Sequence, residues 1–207
     1  MIEKNFYKIT LIFLTTFFFG CSNSSNISED ISQEKEIEVN ITNPFFNKST
    51  LVYGYPHFDK IKNPHYLPAF EKGMKEHINE INEIINQEEK PNFENTIIKL
   101  EKSGELLNRV SYVFYSMSWA NTNDSLESIR TAIAPQLSAH NDEILLNEKL
   151  FNRVENIFKN KENLTLDSES LRLLEETYKS FIRSGAKLSV DDKEKLKQIN
   201  ESIAQNT

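Results

Sequence analysis

The sequence holds a single cysteine, Cys21, so no disulfide can form within the chain and its stability has to come from packing. It holds four histidines, His57, His65, His77 and His140, and no two stand four apart around a glutamate, so the helical zinc motif His-Glu-x-x-His is missing. There is no Gly-x-Ser-x-Gly elbow, no phosphate loop and no dinucleotide fingerprint, which removes the common signatures of nucleophilic and nucleotide chemistry. Basic residues are outnumbered. With residues 1–20 set aside, and with them Lys4, Lys8 and Glu3, the chain keeps 22 basic and 30 acidic side chains, a net charge of −8. That balance argues against non-specific nucleic-acid binding, which needs clustered cations to neutralise phosphates. Strand-like alternation and internal repeats at a fixed period are missing too.

What is present begins with a short basic start, Lys4 and Lys8, and an apolar run from Ile9 to Phe19. The run falls short of the roughly 20 apolar residues that span a bilayer and suits the central part of an export signal. Gly20 precedes Cys21, and the polar stretch Ser22-Asn23-Ser24-Ser25-Asn26 follows. This resembles a bacterial lipoprotein signal, in which the cysteine becomes the lipidated N-terminus; Phe18 departs from the Leu usual three residues before it. Residues 1–20 are therefore expected to be a signal peptide and Cys21 a lipidation site on an exported, membrane-anchored protein of the periplasm or cell envelope. Residues 21–42, rich in Ser, Asn, Glu and Lys, read as a disordered tether.

From residue 43 the character changes. Asn43-Pro44-Phe45-Phe46 opens an irregular stretch whose aromatics, Tyr53, Tyr55 and Phe58, are expected to pack on helices. Helical spacing then dominates. Tyr66, Phe70, Met74, Ile78, Ile81 and Ile85 share one stripe, and a second helix is expected from about Glu94 through Trp119, with Gly104 inside it. Asn121-Thr122-Asn123-Asp124 is a turn with several possible N-caps, followed by a third helix that Pro135 should kink near Ala134. A fourth spans roughly Glu148 to Asn160, and a fifth opens at Asp167 and closes at Gly185. Ser189 with Asp192 resembles a capping box for a sixth, with Leu196, Ile199 and Ile203 on one face. The fold class is all-α.

Candidate chemistry within that frame is sparse. His140-Asn141-Asp142-Glu143 joins an imidazole to two carboxylates but reads as a solvated helix-surface cluster, and His65 reads as a capping or packing residue. His57 and His77 have no supporting neighbours. Glu88-Glu89 and Glu175-Glu176 are ordinary solvated pairs. Tyr112, Phe114, Tyr115 and Trp119 share one helical stretch, with core packing their expected role and a cleft-lining face the alternative.

Taken in order, several stretches resemble one family: Tyr55-Pro56-x-Phe58-Asp59-x-Ile61, His65-Tyr66-x-Pro68-Ala69-Phe70-Glu71-x-Gly73, Pro91-x-Phe93-Glu94-Asn95-Thr96-Ile97, Leu100-Glu101-x-Ser103-Gly104-Glu105-Leu106-Leu107-x-Arg109-Val110, Ala134-Pro135-x-Leu137-Ser138-x-His140-x-Asp142 and Arg183-x-Gly185-Ala186-x-Leu188. They resemble the N-terminal part of the thimet oligopeptidase family of zinc metallopeptidases. Ser103 to Leu107, Asn121 to Asp124 and Leu166 to Ser170 look most like its peptidyl-dipeptidase branch. The resemblance implies a large, mostly helical, two-lobed enzyme in which one zinc ion, held by two His of His-Glu-x-x-His and a distant Glu, activates water. Short peptides are then the substrates and dipeptides leave from their C-termini. No position of this chain matches those catalytic residues, so the resemblance assigns it no catalytic and no metal-binding residue.

On this reading residues 43–207 are the helical N-terminal region of a zinc peptidase, interrupted before the catalytic half by a truncated gene, a fragmentary gene model or a split gene. The chain alone is expected to be inactive and to bind no zinc, with contact to the membrane through its lipid anchor. The alternative is a non-catalytic helical lipoprotein that binds peptides or a protein partner.

Overall fold

Side-chain caps set where most helices begin in the computed structural model, which describes residues 43–206. After three short 3-10 turns, helix α1 runs over Tyr66–Asn86. A π-helical turn, Phe93–Ile98, leads into the single turn α2, Lys99–Lys102. The longer helices follow as α3, Glu105–Ala120; α4, Asp124–Leu145; α5, Glu148–Lys159; α6, Ser168–Arg183; and α7, Val190–Gln205. No strand occurs among the described residues, so the all-α class holds.

The caps are short polar side chains that accept the orphan amides of the first turn. Asn123 Oδ1 accepts from Leu126 N at 3.1 Å, Asn147 Oδ1 from Leu150 N at 3.0 Å, and Asp167 Oδ1 from Ser170 N at 2.7 Å. Ser189 Oγ accepts from Asp192 N at 3.2 Å and donates to Asp192 Oδ2 at 2.8 Å, so the expected box closes between the two side chains. Asn92 and Asn95 cap one another reciprocally, Asn95 N donating to Asn92 Oδ1 at 2.7 Å and Asn92 N to Asn95 Oδ1 at 3.0 Å. Gly185, at φ 89°, closes α6 in the left-handed region where a Cβ is costly.

Two apolar clusters form the core. One gathers Phe45, Tyr66, Phe70, Val110, Phe114, Leu126 and Ile133, with Phe70 and Phe114 edge-to-face at 5.3 Å. The other gathers Ile81, Ile84, Ile97, Ile144, Leu150, Val154, Leu174 and Phe181. α1 and α4 contribute to both, which makes them the struts joining the clusters. α1 also packs along α3, and the contact is close: a Cβ built on Gly73 would lie 2.9 Å from Leu107 Cα.

Several expectations need correcting. The second helix is not continuous, because Ser103 is extended and Gly104 left-handed at φ 73°, which breaks it into α2 and α3. Tyr53 and Tyr55 are exposed, Tyr53 at 95%, and Phe58 is only half covered, beside Tyr66, Met117 and Leu126; Phe45 is the aromatic of this stretch that enters the core. Pro135 lies inside α4, in the interior position expected for it in the third helix. α7 lies on α4 through Lys193, whose Nζ donates to Leu146 O at 3.1 Å, and Asn200, which donates to Asp142 Oδ1 at 2.8 Å. Leu196 is half-buried on that packed side, while Ile199 and Ile203 of the same stripe are left exposed, as a stripe with nothing later to cover it would be.

Candidate functional site

The predicted chemistry-bearing residues are scattered, with one exception. His57 lies with Nδ1 3.9 Å from Asp59 Oδ1, and His65 Nδ1 accepts from Lys62 N at 3.0 Å, the local capping role expected of it. Glu88 and Glu89 are exposed. Glu175 pairs with Lys161, and Glu176 with Lys179 at 2.9 Å, as solvated carboxylates do. Phe114 is fully buried and Tyr115 half-buried, the core-packing role expected, while Tyr112 and Trp119 are exposed. Cys21, with the rest of the expected signal peptide and tether, lies outside the described residues. No helix among the described residues is long and apolar enough to cross a membrane.

The exception is a polar layer between the two apolar clusters. His140 is not part of a solvated surface cluster; it is 5% exposed, on the α4 face turned toward α1. Its Nε2 lies 3.0 Å from Nδ1 of His77 on α1, and His77 Nε2 lies 3.1 Å from Ser103 Oγ at the break between α2 and α3. Proton positions follow from the far end. Ser103 Oγ–H donates to Leu100 O at 2.7 Å, so its oxygen accepts from His77 Nε2–H. A neutral His77 then accepts at Nδ1, and His140 Nε2–H donates to it. Glu80, one turn on from His77, accepts the Gly104 amide at 2.7 Å, and a Cβ on Gly104 would meet His77 Nδ1 at 2.9 Å. Glycine is required there by both its φ and this contact.

Burial favours the neutral form of both rings. Burial lowers the His77 pKa, with Glu80 opposing, while burial and then the neighbouring His77 push His140 down to about 4. A second buried network holds the π-turn. Arg153 Nε donates to Thr96 Oγ1 at 3.2 Å, Nη1 to Glu89 O at 3.2 Å and Nη2 to Asn95 Oδ1 at 3.1 Å. Both networks join residues about sixty positions apart, so no local sequence signal could have paired them.

Neither network fits a zinc ion. The His77 and His140 nitrogens that face each other are engaged in one hydrogen bond, and no group of three or more His, Cys, Asp or Glu that could hold a metal occurs among the described residues. A groove of about 440 Å³ lies between α4 and α7 and is lined by Asp142, Glu143, Glu194 and Glu201 beside Lys197.

Comparison with known proteins gives the geometry its context. No family model matches the chain. It is 46% identical over 162 residues to a dipeptidyl carboxypeptidase of Escherichia coli, which covers 78% of this chain and 24% of that protein. It is 42% identical over 163 residues to a dipeptidyl carboxypeptidase of Salmonella typhimurium, covering 79% of this chain and 24% of that protein. An oligopeptidase A of Haemophilus influenzae is 27% identical over 164 residues, covering 78% and 23%. The chain thus spans about a quarter of the length of the curated relatives it matches. The resemblance to the N-terminal part of the thimet oligopeptidase family holds, with dipeptidyl carboxypeptidases the more similar of these relatives.

Proposed function

We propose that residues 43–207 are the N-terminal helical region of an exported, lipid-anchored zinc peptidyl-dipeptidase that releases C-terminal dipeptides from short peptides. The carrying observation is the 46% identity to a dipeptidyl carboxypeptidase, held over 162 residues. Identity at that level over a fold of this kind supports the same packing role in the same class of enzyme, though it names no reacting group here. Zinc, general base and substrate contacts then belong to sequence that these 207 residues do not contain. The export signal and lipidation of Cys21 rest on the residues before the tether. Anchoring would hold the peptidase at the envelope, where short exported or imported peptides pass.

The reading makes the chain alone inactive, because its four histidines assemble no metal site that could activate water. The purified 207-residue chain, supplied with equimolar zinc and an N-blocked tetrapeptide, is expected to release no dipeptide by chromatographic analysis. Release that a chelator abolishes would overturn the proposed division of labour.

A further inference from the structure

We propose that His77, His140 and Ser103 form an acid-sensitive latch that fastens α4 and the break between α2 and α3 to α1. The three side chains come from three separate parts of the chain and meet in the seam between the two apolar clusters, where hydrogen bonds join them.

The chain of donors tolerates one added proton and not two. Protonation of His77 gives it N–H groups at both nitrogens; Nδ1–H can then donate to His140 Nε2 if the His140 proton moves to its own Nδ1. The contact survives, reversed and charge-assisted. A second proton sets N–H against N–H across 3.0 Å with two positive rings in contact, and the contact cannot be kept.

The charged surroundings favour this order. Glu80 on α1 draws the first proton to His77, and its other duty, accepting the Gly104 amide, keeps it beside the pair. On α4, Asp142 and Glu143 face α7 and line its groove, so neither carboxylate relieves a charge on His140. Glu101 and Lys102 of α2 are exposed, and Glu105 of α3 is engaged with Lys48 and Arg109. The low pKa of His140, about 4, agrees with a ring that titrates second.

Two measurements on the full chain test the latch. NMR titration of the histidine ring signals should show His140 neutral at pH 5.5 and charged only near pH 4, with the resonances of α4 and of Ser103–Gly104 shifting at that same step. Thermal melting at pH 7 and pH 4.5 should show the wild type losing roughly 5 °C more than His140→Gln, whose amide can still donate to His77 but cannot take up a proton. A His140 ring that titrates near 6.5 without disturbing Ser103–Gly104 would overturn the proposal, as would parallel losses in the two proteins. Should His140→Gln fail to fold, the wild-type titration decides alone.

Discussion

Gly73→Ala sets two known effects of opposite sign against each other. In the interior of α1 alanine should stabilise, because glycine costs a helix about 1 kcal/mol of backbone entropy. The position is buried under α3, however, and the new methyl would sit 2.9 Å from Leu107 Cα and 3.0 Å from Leu107 N. Ordinary carbon contacts lie at about 3.5–4.0 Å, so the helices must part by at least ~0.6 Å. These are backbone atoms, which no rotamer change can move aside. Overpacking of this kind costs about 1–3 kcal/mol, and a rigid backbone contact belongs in the upper half of that range. The net expectation is a loss of about 1–2 kcal/mol, a fall in Tm of roughly 2–8 °C for a domain of this size. Melting followed by far-UV circular dichroism reads it directly. Asn79→Ala, exposed on the same helix, supplies the control and should be neutral or slightly stabilising. A Gly73→Ala protein that melts at or above the wild-type temperature would refute the reasoning, and with it the close contact between α1 and α3.

Arg153→Ala should cost about 3 kcal/mol, because it strips partners from Thr96 Oγ1, Asn95 Oδ1 and the Glu89 carbonyl at once; the urea midpoint checks it, and a shift of less than a third of that would show the π-turn holding without the arginine. Asn147→Ala removes the cap of α5 and should cost about 1 kcal/mol, whereas Asn147→Asp should cost little, a contrast that equilibrium unfolding resolves. Glu176→Gln, at an exposed carboxylate paired with Lys179, should leave the melting temperature within about 1 °C of wild type.

Much of this fold is written locally. The apolar stripe of α1 and the caps at Asn123, Asn147, Asp167 and Ser189 act within one turn of chain, so sequence reading places those helices within a few residues. Gly104 marks where local reading stops. A glycine in a helical pattern can be tolerated or can break it, and here the deciding contact is His77, twenty-seven residues earlier. The same limit explains His140. Its neighbours in sequence, Asp142 and Glu143, point to α7, while the group it actually meets comes from α1. Tyr53 and Tyr55 show the converse: aromatic character argues for burial, but whether a loop finds a surface to cover depends on the whole fold. In α7 the packed face carries Leu196 between Lys193 and Asn200, whose hydrogen bonds to Leu146 O and Asp142 Oδ1 fix the register, and no local signal in the sequence separates that face from Ile199 and Ile203.

The central claim is that this chain performs the structural part of a dipeptidyl carboxypeptidase. A chimera tests it most directly: the matched segment of the Escherichia coli relative is replaced by the corresponding residues of this chain, and dipeptide release from a blocked peptide is measured. The claim predicts a folded enzyme releasing dipeptides within about tenfold of the parent rate, ~1.4 kcal/mol in the barrier. A chimera that melts at the parent temperature yet releases no dipeptide would contradict it.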